Sequence, residues 1–302
     1  MNYQVCNYKL RCHEKMLKNT HQDHQSVTAN EKLNSFRVAA IQMASGPSVT
    51  ANLEEAARWI EEAVSQQAKL VVLPEYFCIM GLKDTDKLAV GEQPGEGPIQ
   101  KFLSDTAKRH KIWLVGGSVP LATSDPGKVY NSCLVYADNG ELAARYDKIH
   151  LFGLQLGNER YAEEKTIKAG DKVVTVDSPF GRMGLSICYD LRFPELFRSM
   201  DKVDIILAPA AFTAITGKAH WEVLVRARAV ENMAYVIAPG QGGYHVGGRE
   251  TNGDSMIVDP WGVVMARLPK GPGAVVATID LEYQSRLRIN LPALNHRTLQ
   301  FC

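Results

Sequence analysis

The sequence predicts an α/β protein with a mixed sheet, and three observations carry the prediction. Apolar strand-length runs alternate with helical segments. The runs are unbroken rather than alternating, as in strands covered on both faces. Two further strands, at 131–137 and 141–146, are joined by Asp138-Asn139-Gly140, a hairpin turn that requires an antiparallel pair.

In chain order, residues 36–43 (FRVAAIQM) are the first apolar run. Leu53, Ala56, Ala57, Ile60, Ala63 and Val64 then share one face of a helix over 52–66, by their helical spacing. Residues 69–73 (KLVVL) give a second strand, which stops at Pro74-Glu75. A helix over 98–110 buries Ile99, Phe102, Leu103 and Ala107, and a third strand spans 112–119. After the hairpin, 148–170 is long, polar and without a clear period; such loops in compact domains tend to be functional. Strands follow at 173–176, 182–187 and 203–208, a helix at 218–232, and a strand at 235–239. Three short antiparallel strands at 254–258, 263–268 and 273–279 precede an extended tail at 291–297. No Pro/Gly/Ser-rich linker divides the chain, so residues 36–302 are expected to form one domain. Residues 1–35, rich in Asn, Gln, His and Lys, read as a flexible leader without the apolar core of a secretory signal.

The composition narrows the function. A net charge of +1, from 34 basic and 33 acidic residues, gives no electrostatic case for nucleic acid or membrane binding. No apolar run reaches the roughly 18 residues of a spanning helix. The cysteines Cys6, Cys12, Cys78, Cys133, Cys188 and Cys302 form no C-x-x-C pair, which suits a reducing, cytoplasmic setting. No cofactor is expected: the glycine-rich stretch 240–248 lacks the Gly-Lys-Ser/Thr of a phosphate loop. No metal is expected either, since His150 has no second ligand at a useful spacing. His150 reads as a loop-ordering residue, His220 and Trp221 as packing at a helix start, and Cys78 and Cys133 as buried bystanders.

Candidate chemistry gathers at strand ends. Cys188 closes the strand at 182–187, ahead of a polar turn and a helix start near Phe193-Pro194. Backbone N–H groups at a helix start favour thiolate over thiol, the form a nucleophile needs. An inert packing cysteine is the competing reading, and position alone does not separate the two. Glu75 ends the strand at 69–73, and Lys148 follows the strand at 141–146. Ligands in open α/β sheets bind beyond the carboxyl ends of strands. Attack on an amide or nitrile carbon needs a thiolate, a proton acceptor and an oxyanion stabiliser. Cys188, Glu75, and Lys148 with the Tyr189 N–H could supply them, although each side chain alone also reads as an ordinary surface or core residue. Arg192 either orients the turn through a carboxylate or faces a substrate carboxylate. Phe212 and Thr213 are candidate pocket walls.

Three motifs stand in order: Leu73-Pro74-Glu75-Tyr76-Phe77, then Tyr146-Asp147-Lys148-Ile149-His150-Leu151-Phe152, then Cys188-Tyr189-Asp190-Leu191-Arg192-Phe193-Pro194-Glu195. With them the chain resembles the carbon–nitrogen hydrolase (nitrilase) superfamily, from about Phe36 to Arg297. The resemblance implies a four-layer αββα sandwich with mixed sheets, a homodimer or higher oligomer, and a Glu–Lys–Cys triad at Glu75, Lys148 and Cys188. It implies a second glutamate in Tyr161-Ala162-Glu163, ahead of Gly170; this is Glu163, with adjacent Glu164 as the alternative. The residues after Cys188 resemble the branch of deaminated glutathione amidase and ω-amidase, and Phe193-Pro194-Glu195 leans toward the former.

The implied function is an amidase that cleaves the primary amide of deaminated glutathione through a cysteine thioester and releases ammonia. The alternative is ω-amidase action on α-ketoglutaramate or α-ketosuccinamate; a catalytically dead binding scaffold is a third reading. The substrate is expected to be a small amide bearing carboxylates, so a basic or N–H-rich anion site is expected, which the sequence does not locate. The acyl part of the substrate stays open. Asp254 stands where many relatives have histidine and reads as a surface or loop variation.

Overall fold

The structure, a computed structural model, describes residues 34–157 and 159–298. The expected leader at 1–35 therefore lies almost wholly outside the described residues.

Two six-stranded mixed sheets stack face to face. The first half of the chain supplies β1 (Ser35–Gln42), α1 (Val49–Ser65), β2 (Ala68–Val72), α2 (Asp86–Ala89), α3 (Pro98–His110), β3 (Trp113–Ala122), β4 (Val129–Tyr136) and β5 (Leu142–Asp147). A small hairpin of β6 (Gly153–Leu156) and β7 (Glu159–Ala162) leads into the second half. There β8 (Thr175–Ser178), β9 (Gly181–Leu185), α4 (Pro194–Ser199), β10 (Ile205–Leu207), α5 (Ala214–Asn232) and β11 (Tyr235–Ala238) follow. A second hairpin, β12 (Gly242–Tyr244) and β13 (Glu250–Asn252), precedes β14 (Ser255–Val258), β15 (Val264–Leu268), β16 (Gly273–Asp280) and α6 (Leu281–Asn290). The sheet orders are β16-β1-β2-β3-β4-β5 and β15-β14-β11-β10-β9-β8.

Period-two side-chain direction builds the layers. In β1 and β2, Phe36, Val38, Ala40, Leu70 and Val72 face the second sheet, where they meet Met183, Leu185, Leu207 and Val236. The intervening Ala39, Ile41, Val71 and Leu73 face outward, onto Ala56, Ile60 and Ala63 of α1 and Ile99, Leu103 and Ala107 of α3. Trp221, Val225 and Ala229 of α5 close the other outer face. Strands sandwiched this way carry apolar residues at every position, which is why they read as unbroken runs. The result is the αββα sandwich.

The sequence reading departs from the fold in places. The region 148–170 is not one loop but holds the β6–β7 hairpin and a single 3₁₀ turn at Glu163–Lys165. Helix α5 begins four residues earlier than expected, at Ala214 rather than Lys218, because Thr213 caps it by accepting the Thr216 N–H. The β12–β13 hairpin is glycine-rich and shows no apolar alternation. Helix α6 shows little apolar patterning beyond Leu281 and Tyr283 at its start and docks largely through polar bonds: Gln284 and Arg288 both donate to the Met233 carbonyl. The tail at 291–297 forms turns rather than an extended run. Among the described residues, no helix is long and apolar enough to cross a membrane.

Candidate active site

Three strand ends converge on one place. Glu75 follows β2, at a sharp corner where Tyr76 takes a left-handed φ of 56°. The corner is pinned by the Tyr76 N–H donating to Ser118 Oγ at 2.9 Å. Gly117 makes room for it: a Cβ there would overlap the carbonyl oxygens of Leu73 and Pro74. Lys148 follows β5, with its N–H on the Asn131 carbonyl and its own carbonyl accepting the Gly170 N–H, both at 2.9 Å. Gly170 is again a close-approach glycine, because a Cβ would overlap the Asp147 carbonyl. Cys188 lies beyond β9 with φ of 51°, a conformation uncommon outside glycine and concentrated at functional corners.

A buried carboxylate holds this last corner. Asp190, fully buried, accepts the Ile187 N–H at 2.9 Å, the Tyr146 hydroxyl at 2.7 Å and the His150 N–H at 3.1 Å. His150 also places Nδ1 2.7 Å from Asp190 and stacks on Phe193, with ring centroids 3.7 Å apart. Asp190 thus fastens the second motif to the third, and His150 orders the corner as expected.

The Lys148 ammonium, with no exposed surface, lies 2.9 Å from Glu75 Oε1 and 2.8 and 3.1 Å from the two oxygens of Glu163. Glu163 also accepts the Tyr76 hydroxyl at 3.0 Å and the Phe152 N–H at 2.7 Å. Asn131 donates to Glu75 Oε1 at 2.9 Å. The Cys188 thiol is a hydrogen-bond neighbour of the Glu75 carboxylate. Glu164 is exposed and takes no part, so of the two adjacent glutamates Glu163 is the one that joins the cluster.

The electrostatics correct one expectation. Burial, then the Glu75 charge, push the Cys188 thiol well above its ordinary value; Lys148 and the Ala211 N–H oppose them without prevailing. The resting sulfur is a thiol, not a thiolate. The helix-start argument fails because Cys188 opens a 3₁₀ turn at Cys188–Arg192, and α4 begins only at Pro194. Burial would lower the Lys148 ammonium, but Glu163 and Glu75 outweigh it and hold it well above its usual range. Burial would raise the Glu163 carboxyl, yet Lys148 and the Phe152 N–H hold it below its ordinary value. One buried ammonium therefore sits between two carboxylates, beside a protonated thiol.

Glu75, Glu163, Cys188, Tyr189, Arg192, Phe212 and Thr213 line a single narrow inner pocket with about 10 Å³ of free volume. All the residues expected at the site are brought together, with Lys148 buried behind this lining. The Cys188 N–H goes to the Pro209 carbonyl and the Asp190 N–H to that of Ile187. The Tyr189 N–H between them has no acceptor among the described residues. Arg192 has no carboxylate partner among them either; its guanidinium lies over the Tyr189 and Phe212 rings and within 3.3 Å of His220 Nδ1. His220 is therefore an exposed partner of Arg192 rather than packing, whereas Trp221 is buried. Cys78 and Cys133 are buried away from this chemistry. Asp254 pairs with Arg267 on the exposed face of the second sheet. No cluster able to hold a metal ion occurs among the described residues.

The inner pocket adjoins a larger chamber of about 470 Å³, and Arg249 lines both. Asn131, Tyr76, Asp190 and Arg249 were not singled out from the sequence. Tyr76 and Asp190 do lie inside the motifs; Asn131 and Arg249 carry no local signal at all.

Comparison with known proteins agrees with this architecture. The profile of the carbon-nitrogen hydrolase family matches residues 37–289. A deaminated glutathione amidase of Synechocystis sp. is 44% identical over 269 residues, covering 87% of this chain and 98% of that protein. Human omega-amidase NIT2 is 39% identical over 269 residues, covering 88% and 96%. The crystal structure of Saccharomyces cerevisiae Nit3, a member of branch 10 of the nitrilase superfamily, superposes with a TM-score of 0.80 at 32% identity, covering 88% of this chain and 97% of that one. With a family match over most of its length, a shared sandwich fold and relatives named as amidases, the chain belongs to the carbon-nitrogen hydrolase family and is a hydrolase of amide C–N bonds.

Proposed function

We propose that the chain is a cofactor-free amidase in which Cys188 is the nucleophile and that deaminated glutathione is its substrate. The observation that carries the chemistry is the buried Glu75–Lys148–Glu163 cluster against the Cys188 thiol. Glu75 accepts the thiol proton as sulfur attacks the amide carbon. Lys148 and the Tyr189 N–H stabilise the oxyanion. The C–N bond then breaks, and Glu75 hands its proton to the departing nitrogen. Water attacks the thioester, giving a proton to Glu75, which returns it to sulfur as the acid leaves. Glu163 anchors Lys148. A resting thiol suits this sequence, since the base acts on it only as the bond to carbon forms.

The leaving group expected from the sequence needs correction on chemical grounds. Glutathione is γ-glutamyl-cysteinyl-glycine, so its deaminated form carries only secondary amides. On that substrate the product is an amine, cysteinylglycine; ammonia is released only from ω-amides. With an oxo group in place of the amine, the acyl half is that of α-ketoglutaramate, and Arg192 is suited to receive its carboxylate. The similarity to the Synechocystis amidase favours deaminated glutathione. The similarity to human omega-amidase NIT2 supports the smaller ω-amide as the second reading.

Steady-state rates on deaminated glutathione, α-ketoglutaramate, a nitrile and a carbamoyl amino acid test the reading. Deaminated glutathione should have the highest kcat/KM, and a preference for α-ketoglutaramate would overturn it. A homodimer is supported by exposed Val230, Trp261 and Val263 gathered beside α5; light scattering that reports a monomer would reject it. The free thiols of Cys78, Cys133 and Cys188 support a cytoplasmic setting.

A further inference from the structure

The chamber outside the catalytic pocket carries cations without ion-pair partners among the described residues. Arg249, half-buried, donates to the Ala211 carbonyl at 3.1 Å and lies 5.2 Å from the centre of the Tyr161 ring. Its Nε is buried, and neither Nε nor the guanidinium as a whole finds an acidic partner among the described residues. Lys87, on the same chamber wall, lies 5.5 Å over the Tyr76 ring and donates to Thr166 Oγ1 at 3.3 Å. It too forms no ion pair among the described residues. Tyr76, under Lys87, reaches the catalytic cluster through its hydroxyl on Glu163. The acidic residues of the chamber, Asp84 and Glu250, are exposed at its rim. A half-buried cation without a counter-ion is costly unless an anion arrives.

The positions are held rather than incidental. Arg249 immediately precedes β13, and the hairpin is braced by buried His245, whose ring bridges the Ser45 carbonyl at 2.8 Å and Thr251 Oγ1 at 2.7 Å. The chamber volume of 470 Å³ falls in the range of small-molecule sites, and the inner pocket is far narrower. The two candidate substrates share one acyl chain and differ only beyond the scissile nitrogen. Discrimination between them must therefore come from whatever contacts the leaving half.

We propose that this chamber binds the amine half of the substrate and that Arg249 and Lys87 receive a carboxylate on it. Resting on the deaminated glutathione reading, that carboxylate is the glycine terminus of the departing cysteinylglycine. Arg249, which borders both spaces, marks where the acyl half ends and the leaving half begins.

The test compares kcat/KM for deaminated glutathione, its C-terminal carboxamide and α-ketoglutaramate. Wild-type enzyme should prefer the free acid to the carboxamide by about tenfold or more, the factor of one charged hydrogen bond. In Lys87→Met and Arg249→Gln, the ratio of deaminated glutathione to α-ketoglutaramate should fall by a similar factor, and the preference for the free acid should shrink. Equal wild-type rates on acid and carboxamide would overturn the inference without any variant having to fold. So would variants that lose both substrates in proportion. No wild-type turnover of deaminated glutathione would sink the functional reading itself, and this inference with it.

Discussion

Replacing Glu163 with glutamine isolates the anchor of Lys148. Glu163 accepts Lys148 Nζ at 2.8 and 3.1 Å, the Tyr76 hydroxyl at 3.0 Å and the Phe152 N–H at 2.7 Å. In Glu163→Gln, the amide oxygen can keep Phe152 and one contact to Lys148. The amide nitrogen then faces Tyr76, which can turn its hydroxyl and accept, or Lys148, which cannot. Breaking a buried pair and stranding the remaining charge costs about 3–5 kcal/mol. Lys148 keeps Glu75, so the expected loss is nearer the roughly 1.5–3 kcal/mol of one hydrogen bond to a charged group.

Urea unfolding measures that loss, and its pH dependence has a definite sign. The folded-state Glu163 carboxyl lies below its ordinary 4.5, so its contribution is present above that pH and fades as pH falls through the lowered value. The gap between wild type and variant should therefore narrow in acid. The exposed neighbour supplies the control: Glu164→Gln should stay within about 0.5 kcal/mol of wild type. A Glu163→Gln protein as stable as wild type at neutral pH, or a gap that does not change in acid, would refute the reasoning.

Three other outcomes are expected. Because burial and Glu75 raise the Cys188 thiol, its alkylation by iodoacetamide should still be accelerating at pH 9.0, its ordinary value; a plateau near neutrality would mean a resting thiolate. Gly117→Ala would push the Leu73–Pro74 backbone and displace Glu75, so kcat should drop by about 100-fold, and a variant with wild-type kcat would show that this clearance does not position the base. Asp254→His removes the pair with Arg267, which retains Glu222 at 3.0 Å. Thermal unfolding should register less than about 1 kcal/mol, and a change in the substrate ratio would place Asp254 in recognition after all.

What was legible in the sequence follows from where the signals lie. Strands covered on both faces announce themselves as apolar runs, and α1 shows its face through Ala56, Ile60 and Ala63. Glu75 and Cys188 follow such strands, whereas Lys148 follows the largely exposed edge strand β5; strand-end position made a shared crevice possible, and the three motifs rather than spacing tied the residues together. Helix α6 escaped because its docking is largely polar, through Gln284 and Arg288 to Met233. The protonation of Cys188 could not be read either, since it depends on burial and then on the charge of Glu75, distant in sequence. Arg249 lies in a glycine-rich hairpin that has no period, and it becomes notable only when the fold shows that it lacks a counter-ion among the described residues.

The central claim is that one sulfur carries the acyl group. Rapid quenching of wild-type enzyme with α-ketoglutaramate, and separately with deaminated glutathione, followed by peptide mass spectrometry, tests it directly. Both substrates should leave the same oxo-diacid acyl group on the Cys188 peptide, and Cys188→Ala should show neither adduct nor turnover. Turnover that survives in Cys188→Ala, or an adduct on another residue, would contradict the account.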